Sequence, residues 1–273
     1  MNAFLLVIIL GIVEGMTEFV PVSSTGHMIL VDEFLKLNVS PEFMEMFLVV
    51  IQLGAILAVI LLFWNKIFPF TFDNGIKVKD GIIVMWFKII IACIPAAIVG
   101  LLFDDQLNAL FYNPTTVAVM LILFGILFIV IENYHKGKKP KINSLAEITY
   151  TVAIMIGLFQ LIAAIFPGTS RSGATIVGAL LIGVSRTIAA EFTFFLAIPV
   201  MFGASALKLV KFGFAFTGNE LILLLVGMVV AFVVSVLSIK FLMSYIKKHD
   251  FKIFGWYRIV LGIIVLTYFY LIV

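Results

Sequence analysis

Two short polar segments interrupt an otherwise apolar chain, and both contain residue types that can handle a phosphate group. The first reads VEGMTEFVPVSSTGH over residues 13–27, and the second reads FPGTSRSGAT over residues 166–175. Glu14 and Glu18 stand four residues apart, so on a helix their carboxylates share one face. Arg171 lies among Gly and Ser residues. Backbone N–H groups at such a helix start bind anions, and arginine adds a bidentate fork for phosphate oxygens.

These charges need an explanation because the chain around them has the composition of a membrane protein. Of its 273 residues, 63% are hydrophobic and 12% are charged, whereas soluble domains carry about 25% charged residues. A charge near the middle of a bilayer costs roughly 2.5–3.5 kcal/mol, so Glu14, Glu18 and Arg171 together cost on the order of 8–10 kcal/mol. A functional site explains that cost. The alternative is that these residues lie at the interface, or pair with each other to hold the two segments together.

The two glutamates also indicate a metal ion. Carboxylates beside a phosphate repel it unless they are protonated or hold a divalent cation. Mg²⁺ and Ca²⁺ favour oxygen ligands, so Glu14 and Glu18 are candidate ligands for either ion. The first segment is rich in hydroxyls, which can act as nucleophiles. The residues together predict a site with a phosphate, a hydroxyl nucleophile or water, an acid or base, and a metal at membrane depth.

The rest of the sequence predicts the helices that position this site. Two apolar stretches, 3–31 and 148–184, are broken near the middle, and neither half reaches the roughly 20 residues that a span requires. We therefore expect both to be re-entrant helix–loop–helix elements, since irregular backbone at membrane depth must be buried in protein or line a wet cavity. Six other runs are long enough to span: 43–64, 82–103, 115–133, 190–210, 219–243 and 256–273.

The order of elements predicts an internal repeat within one all-α integral membrane domain covering residues 1–273. One re-entrant element and three spans occur over about 1–140, and the same order recurs over about 141–273. Short sequence similarities at near-constant offsets accompany it, such as Glu42-Phe43 with Glu191-Phe192. Because each half contains three full crossings, the second half should be inverted relative to the first. Many transporters share this architecture and form their sites from broken helices.

The lysines predict how the chain is oriented. Loops 65–81, 134–147 and 244–256 are rich in lysine, whereas 104–114 carries Asp104 and Asp105 without a basic residue. Under the positive-inside rule, the lysine-rich loops are cytoplasmic and both termini lie outside. Lys208 and Lys211 fall on the outer side and oppose this orientation.

The two polar segments resemble the signatures of the undecaprenyl-diphosphate phosphatase family, also called the bacitracin-resistance protein family. Its first signature, Glu-x-x-x-Glu followed by Pro-x-Ser-Ser-Thr-Gly-His, is intact over residues 14–27. Its second, Pro-Gly-x-Ser-Arg-Ser-Gly-x-Thr, is intact over residues 167–175. The segments GVSR at 183–186 and EFTFFLAIP at 191–199 match as well. The resemblance covers essentially the full length, and the order of both motifs makes it specific.

The resemblance implies a hydrolase that converts undecaprenyl diphosphate to the monophosphate and inorganic phosphate. Such an enzyme recycles the lipid carrier for peptidoglycan and protects against bacitracin. It would lie in the bacterial cytoplasmic membrane with its site on the outer side, and it would use a divalent metal. The predicted catalytic residues are Glu14, Glu18, Ser24, His27 and Arg171, of which Glu14 and Glu18 bind the metal. The predicted phosphate-binding residues are Ser23, Thr25, Gly26, Ser170, Arg171, Ser172, Gly173 and Thr175.

The mechanism and one rival function stay open from sequence. Ser24 can act as a covalent nucleophile with His27 as base or acid, or water can attack directly with His27 or Glu18 as base. The rival is a polyprenyl-phosphate transporter or flippase without hydrolysis, which the inverted repeat favours. The expected partners are undecaprenyl diphosphate and membrane lipid. The oligomeric state is open, with a homodimer as one option, and no nucleic-acid partner is expected.

Overall fold

Six long apolar helices form the framework, as the uninterrupted hydrophobic runs predict. The structure, a computed structural model, describes residues 3–35, 37–71, 77–213 and 216–271. The six helices are long and apolar enough to cross a membrane. They are α3 (Pro41–Leu62), α5 (Asp80–Phe111), α6 (Pro114–His135), α9 (Arg186–Phe212), α10 (Gly218–Ile246) and α11 (Lys252–Leu271). The prediction of an all-α polytopic membrane protein is thus confirmed.

Side-chain caps mark where three of these helices begin. Ser40 and Asn113 each accept a hydrogen bond from a backbone N–H in the first turn of α3 and α6, and a proline follows each cap. Proline suits the first helical position because its missing N–H would have no partner there. Thr217 begins α10 with a capping box closed by Glu220.

Each interrupted stretch forms two short helices joined by a polar turn. The first contains α1 (Ala3–Thr17) and α2 (Ser24–Phe34), and the second contains α7 (Tyr150–Ile165) and α8 (Arg171–Ile182). Helix α1 packs against α10, where Gly11 approaches the Gly227 carbonyl. Helix α7 packs against α5 in a similar way, with Gly157 next to the Ala92 carbonyl. A Cβ atom at either glycine would lie 2.9 Å or less from a carbonyl oxygen, so the close approach requires glycine.

Smaller elements complete the chain. Helix α4 (Trp64–Ile67) leads into a short antiparallel hairpin of β1 (Phe70–Thr71) and β2 (Lys77–Val78), with Phe70 opposite Val78. A 3₁₀ turn (Leu145–Glu147) precedes α7.

The core lies around α8, which is buried over residues 172–180. Helices α6, α7 and α9 pack against it. The long helices expose large apolar side chains on their outer faces, as Leu225, Val229 and Leu237 do on α10. Exposed apolar surface of this extent suits contact with lipid. A polar turn at the start of α8 is therefore enclosed by protein.

The structure corrects one boundary from the sequence analysis. Residues 104–111 were expected to be part of a loop, but α5 continues through them to Phe111. Asp104 and Asp105 lie on this extension, where they pair with Lys208 and Lys211 at distances of 3.4–3.6 Å. The two lysines that opposed the predicted orientation are thus paired with acidic residues on the same side of the protein. The positive-inside rule counts lysines rather than net charge, so Lys208 and Lys211 still oppose that orientation.

Candidate functional site

The two polar turns meet in the structure, and they share an unusual backbone conformation. Ser23 caps α2 with φ of 75°, and Ser170 caps α8 with φ of 66°. Among the described residues, these are the only two non-glycine residues with positive φ. Each serine hydroxyl accepts a hydrogen bond from the glycine N–H three residues later, Gly26 at 3.3 Å and Gly173 at 3.1 Å. Such strained backbone persists where surrounding contacts hold it, and it clusters at functional sites.

Glu18 links the two turns through its side chain. Its Oε1 accepts a hydrogen bond from Arg171 Nη2 at 3.1 Å, and its Oε2 accepts one from the Ser24 hydroxyl at 2.9 Å. The second guanidinium nitrogen of Arg171, Nη1, donates to the Thr193 carbonyl on α9 at 3.2 Å. Only 8% of the Glu18 side chain and 13% of the Arg171 side chain are exposed. The ion pair is therefore shielded from solvent but remains accessible from one side.

Glu14 lies behind Glu18 and has spare capacity for a ligand. Its side chain is buried, and its carboxyl group interacts with that of Glu18. Within the part of the chain that the structure describes, its Oε1 has no hydrogen-bond partner. A buried carboxylate oxygen without a partner is costly unless a ligand or water satisfies it.

These two carboxylates fit the predicted metal. Hard cations such as Mg²⁺ and Ca²⁺ accept carboxylate oxygens, and Mg²⁺ is usually held by one or two carboxylates together with water and substrate phosphates. Over the described ranges, no cluster contains three or more His, Cys, Asp or Glu side chains that could hold a metal. Glu14 and Glu18 could therefore supply a two-carboxylate site, with the other ligands coming from water or phosphate.

A cavity of about 170 Å³ opens between the turns beside this ion pair. Ser24 and Thr25 line it from the first turn, and Ser170 and Arg171 line it from the second. Glu18 also lines it, and the remaining walls include Gln52, Val200, Met201 and Ala204. The cavity therefore combines hydroxyls, a guanidinium, a carboxylate and an apolar wall.

The other predicted phosphate-binding residues lie outside the cavity lining and hold the two turns in shape. Ser172 and Thr175 are fully buried. The Ser172 hydroxyl donates to the Glu18 carbonyl at 3.0 Å. Thr175 donates to the Arg171 carbonyl at 2.9 Å and accepts a hydrogen bond from Thr193. Ser23, Gly26 and Gly173 form the two caps. In this structure these five predicted phosphate-binding residues shape the turns and do not line the cavity.

His27 lies near the site but faces away from Ser24. Its Nδ1 is 2.7 Å from the Ser23 carbonyl oxygen, and its Nε2 is 2.6 Å from the Tyr257 hydroxyl on α11. Because a carbonyl only accepts, Nδ1 carries a proton, and in the neutral imidazole the Tyr257 hydroxyl donates to Nε2. The neighbouring hydroxyl of Ser24 has Glu18 as its acceptor.

Arg258 is a residue of the site region that sequence reasoning missed. Its side chain is fully buried on α11, and it donates to carbonyls of both turns: Pro21 at 3.3 Å, Gly168 at 3.0 Å and Thr169 at 2.8 Å. It thus ties the two turns together. The signal in the sequence is a lone arginine within the apolar run 256–273. Gln52 was also missed, and its signal is similar: a lone polar residue inside the apolar part of helix α3.

Comparison with known proteins supports one family over nearly the whole chain. A family model described as bacitracin resistance protein BacA matches residues 7–264. The undecaprenyl-diphosphatase of Desulfitobacterium hafniense is 78% identical over 262 residues, which cover 96% of this chain and 94% of that protein. Undecaprenyl-diphosphatase 1 of Clostridium acetobutylicum is 67% identical over 97% of both chains. An Enterococcus faecalis undecaprenyl-diphosphatase is 65% identical over 95% of both chains.

The family match spans both polar turns. Both polar turns fall within residues 7–264, and they converge on a single cavity. The chain therefore belongs to the bacitracin resistance protein BacA family.

Proposed function

We propose that this protein is a membrane phosphatase that hydrolyses undecaprenyl diphosphate to undecaprenyl phosphate and inorganic phosphate. The observation that carries the proposal is the identity of 65–78% to proteins named undecaprenyl-diphosphatase over at least 94% of each chain. The reaction would recycle the lipid carrier for cell-wall synthesis, and it would confer bacitracin resistance by removing the lipid diphosphate.

Arg171 and its turn would bind the terminal phosphate. The guanidinium lines the cavity together with the hydroxyls of Ser170 and Thr25. Binding would require Arg171 Nη2 to exchange Glu18 for a phosphate oxygen, since that nitrogen now donates to the carboxylate. After that exchange, Arg171 would stabilise the negative charge that develops on the phosphate in the transition state.

Glu18 is the base best placed to activate Ser24. The hydroxyl already donates to Glu18 Oε2 at 2.9 Å, which is within the reach that a general base requires. Ser24 Oγ would attack the terminal phosphorus, the bond to the bridging oxygen would break, and undecaprenyl phosphate would leave. Water would then release inorganic phosphate from the serine.

Direct attack by water, with Glu18 as its base, is the alternative mechanism, and it needs no phosphoserine. His27 can serve as acid or base in either mechanism only if its Nε2 exchanges Tyr257 for the substrate or water, because that hydrogen bond now occupies it.

Glu14 and Glu18 would hold the Mg²⁺ or Ca²⁺ ion. A divalent cation would neutralise negative charge on the diphosphate and relieve its repulsion by the two carboxylates. The unpartnered Oε1 of Glu14 supports this assignment.

We also propose that the chain is one domain built as an inverted repeat, over about 1–140 and 141–273. Three features support it. Ser23 and Ser170 have the same cap, conformation and glycine partner, 147 residues apart. Gly11 of α1 packs on α10 of the other half, and Gly157 of α7 packs on α5 of the other half. Helices α1, α2, α7 and α8 are short. These elements would be re-entrant and return to the side from which they enter.

The protein would lie in the cytoplasmic membrane of a bacterium, with both termini and the site on the outer side. The lysine-rich loops 65–81, 134–147 and 244–256 support this orientation, which Lys208 and Lys211 oppose. A homodimer stays a prediction, as does the expectation that no nucleic acid binds.

Phosphate release from the purified protein tests the function. Protein solubilised in detergent does not separate two compartments, so transport without hydrolysis cannot produce a signal in this assay. We expect the protein to release inorganic phosphate from undecaprenyl diphosphate. An Arg171→Gln variant should release phosphate more slowly by a factor of about 10² or more. Absence of release with Mg²⁺ or Ca²⁺ present would favour the transporter, which the names of the relatives do not favour.

A further inference from the structure

A second cavity lies at the opposite end of α8 from the site around Arg171. It has a volume of about 290 Å³, and its lining includes Glu132, His135, Lys138, Ser185, Arg186 and Lys247. Helix α8 has 12 residues, so at 1.5 Å per residue the two cavities are separated by about 18 Å along its axis. The segment 183–186, which the family resemblance includes, lies in this second cavity and has no role in the first.

The walls of this second cavity are held in place by the lysine-rich loop. The N–H groups of Lys141 and Ile142 donate to the Gly183 carbonyl, at 2.8 and 3.2 Å, and the Ser185 N–H donates to the Ile142 carbonyl at 2.9 Å. Ile142 and Val184 thereby form a parallel bridge. The loop and the start of α9 are consequently one ordered surface.

Positive charge in the cavity exceeds negative charge. Arg186 binds Glu132 through Nε and Nη2, and the Phe251 N–H also donates to that carboxylate. Glu132 is therefore already neutralised. Lys138 lies 3.4 Å from the centre of the Tyr134 ring. In the part of the chain covered by the structure, neither Lys138 nor Lys247 pairs with a carboxylate, so both charges are available to a ligand.

Two further groups in the cavity lack a protein partner. Helix α9 begins at Arg186 without a side-chain cap on its N–H groups, which are the donors that bind phosphate at helix starts. The Nε2 atom of His135 is buried and has no hydrogen-bond partner among residues 3–35, 37–71, 77–213 and 216–271. A buried polar atom without a partner indicates a ligand or water that supplies one.

We infer that this cavity is a second anion site that binds a phosphate group. Its donors come from three separate segments: the loop after α6, the start of α9 and the end of α10. Such a distribution suits a tetrahedral anion with several acceptor oxygens better than a planar carboxylate with two. The source is either free inorganic phosphate or the phosphate of an anionic lipid headgroup. The inference goes beyond the proposed hydrolysis and does not depend on it.

Site-resolved acetylation of lysines tests the inference on the full chain in detergent. Lys138 and Lys247 line the cavity, whereas their neighbours Lys139 and Lys248 are equally exposed and do not. At a ligand concentration of twice Kd, acetylation of Lys138 and Lys247 should slow by about threefold. Lys139 and Lys248 should be unaffected. Equal slowing at all four lysines, or no slowing, would overturn the inference.

The choice of ligand identifies the source of the phosphate. Inorganic phosphate is compared with chloride at equal ionic strength, and short-chain phosphatidylglycerol is compared with a diacylglycerol of the same chain length, which has no phosphate. Selective protection by phosphate supports a free-phosphate site. Selective protection by phosphatidylglycerol alone supports a headgroup site. Equal protection by both lipids indicates general lipid coverage and counts against an anion site.

A pair of matched variants provides an independent readout. Both are made in an Arg171→Gln background, so that the site between the polar turns contributes little to binding. We expect Lys138→Gln with Lys247→Gln to weaken binding of the protecting ligand by about tenfold, since two charge-assisted contacts are lost. Lys139→Gln with Lys248→Gln removes the same charge outside the cavity and should leave affinity unchanged. Equal weakening in both pairs would show only a general surface potential and would overturn the inference.

Discussion

At the scale of single residues, Glu18 contacts both the candidate nucleophile and the candidate phosphate-binding arginine. Its two carboxylate oxygens accept separate hydrogen bonds from Arg171 and Ser24, which come from different halves of the chain. A phosphate that binds Arg171 would therefore compete with Glu18. Ser24 would lose its proton to the same carboxylate. In the proposed mechanism, nucleophile activation and phosphate binding are therefore coupled through this one side chain.

Arg171→Lys should lose most of the activity while the protein still folds. A lysine keeps the charge but cannot donate to Thr193 and a phosphate oxygen through one planar group, so kcat should fall by about 10²–10³-fold. Phosphate release measures the activity, and helical content with elution volume measures folding. Near-normal turnover would contradict the proposal that Arg171 bridges the Thr193 carbonyl and the phosphate.

Removal of divalent metal should abolish hydrolysis if Glu14 and Glu18 hold an ion. EDTA-treated protein should release phosphate only after Mg²⁺ or Ca²⁺ is added back, because the bare carboxylates repel the diphosphate. A Glu14→Gln variant should need about tenfold or more additional metal for the same rate, since one charged ligand is lost. Full activity in thoroughly demetallated protein would instead make both glutamates proton-transfer or structural groups.

At the scale of helices, glycine determines how closely the short broken helices pack on the long ones. Helix α7 contacts α5 at Gly157, where an added Cβ atom would lie 2.2 Å from the Ala92 carbonyl oxygen. Helix α7 leads directly into the turn that carries Arg171. A displacement of α7 should therefore reach the phosphate site.

Gly157→Ala should destabilise the protein, and Gly100→Ala provides a matched control. Crowding at Gly157 should lower the free energy of unfolding by about 1–3 kcal/mol. Gly100 lies on α5 with no atom within 4 Å of an added Cβ, so alanine there should be neutral or stabilise by about 0.5–1 kcal/mol. Thermal unfolding in detergent compares the two variants. A Gly157→Ala protein as stable as the control would show that the helices can separate without cost.

At the scale of the whole molecule, the orientation decides which side of the membrane supplies the substrate. The two cavities lie at opposite ends of α8, one between the polar turns and the other beside the lysine-rich loop. If that loop is cytoplasmic, the site between the turns opens toward the outer side and the second cavity opens toward the cytoplasm.

Reporter fusions test this orientation. A C-terminal reporter that works only outside the cytoplasm should be active, and one inserted in the 134–147 loop should behave as cytoplasmic. The reason is the lysine asymmetry of the short loops together with three crossings in each half. A cytoplasmic C-terminus together with a cytoplasmic 134–147 loop would refute the re-entrant arrangement of the second half. That result would not change the assignment of the phosphate-binding residues, which rests on the two motifs.

Much of this protein follows from its sequence alone, for identifiable physical reasons. Low charge and long apolar runs determined the membrane class and six spans, because backbone groups in lipid must be satisfied within helices. The two interruptions predicted where the candidate site lies, because charges within apolar sequence are costly. Glu18, Ser24 and Arg171 were predicted together, and the structure brings them into one hydrogen-bonded group.

Only the tertiary structure decided which atoms these residues contact. Spacing along a helix fixes a shared face but not the partner that packs against it. His27 meets Tyr257, 230 residues away, and Arg258 joins the carbonyls of both turns. Ser172 and Thr175 turn toward backbone carbonyls, which compete with a ligand for their hydroxyls. The chemistry was therefore readable from residue types, whereas the geometry that couples Glu18 to both turns depended on the packing of α1, α8 and α11.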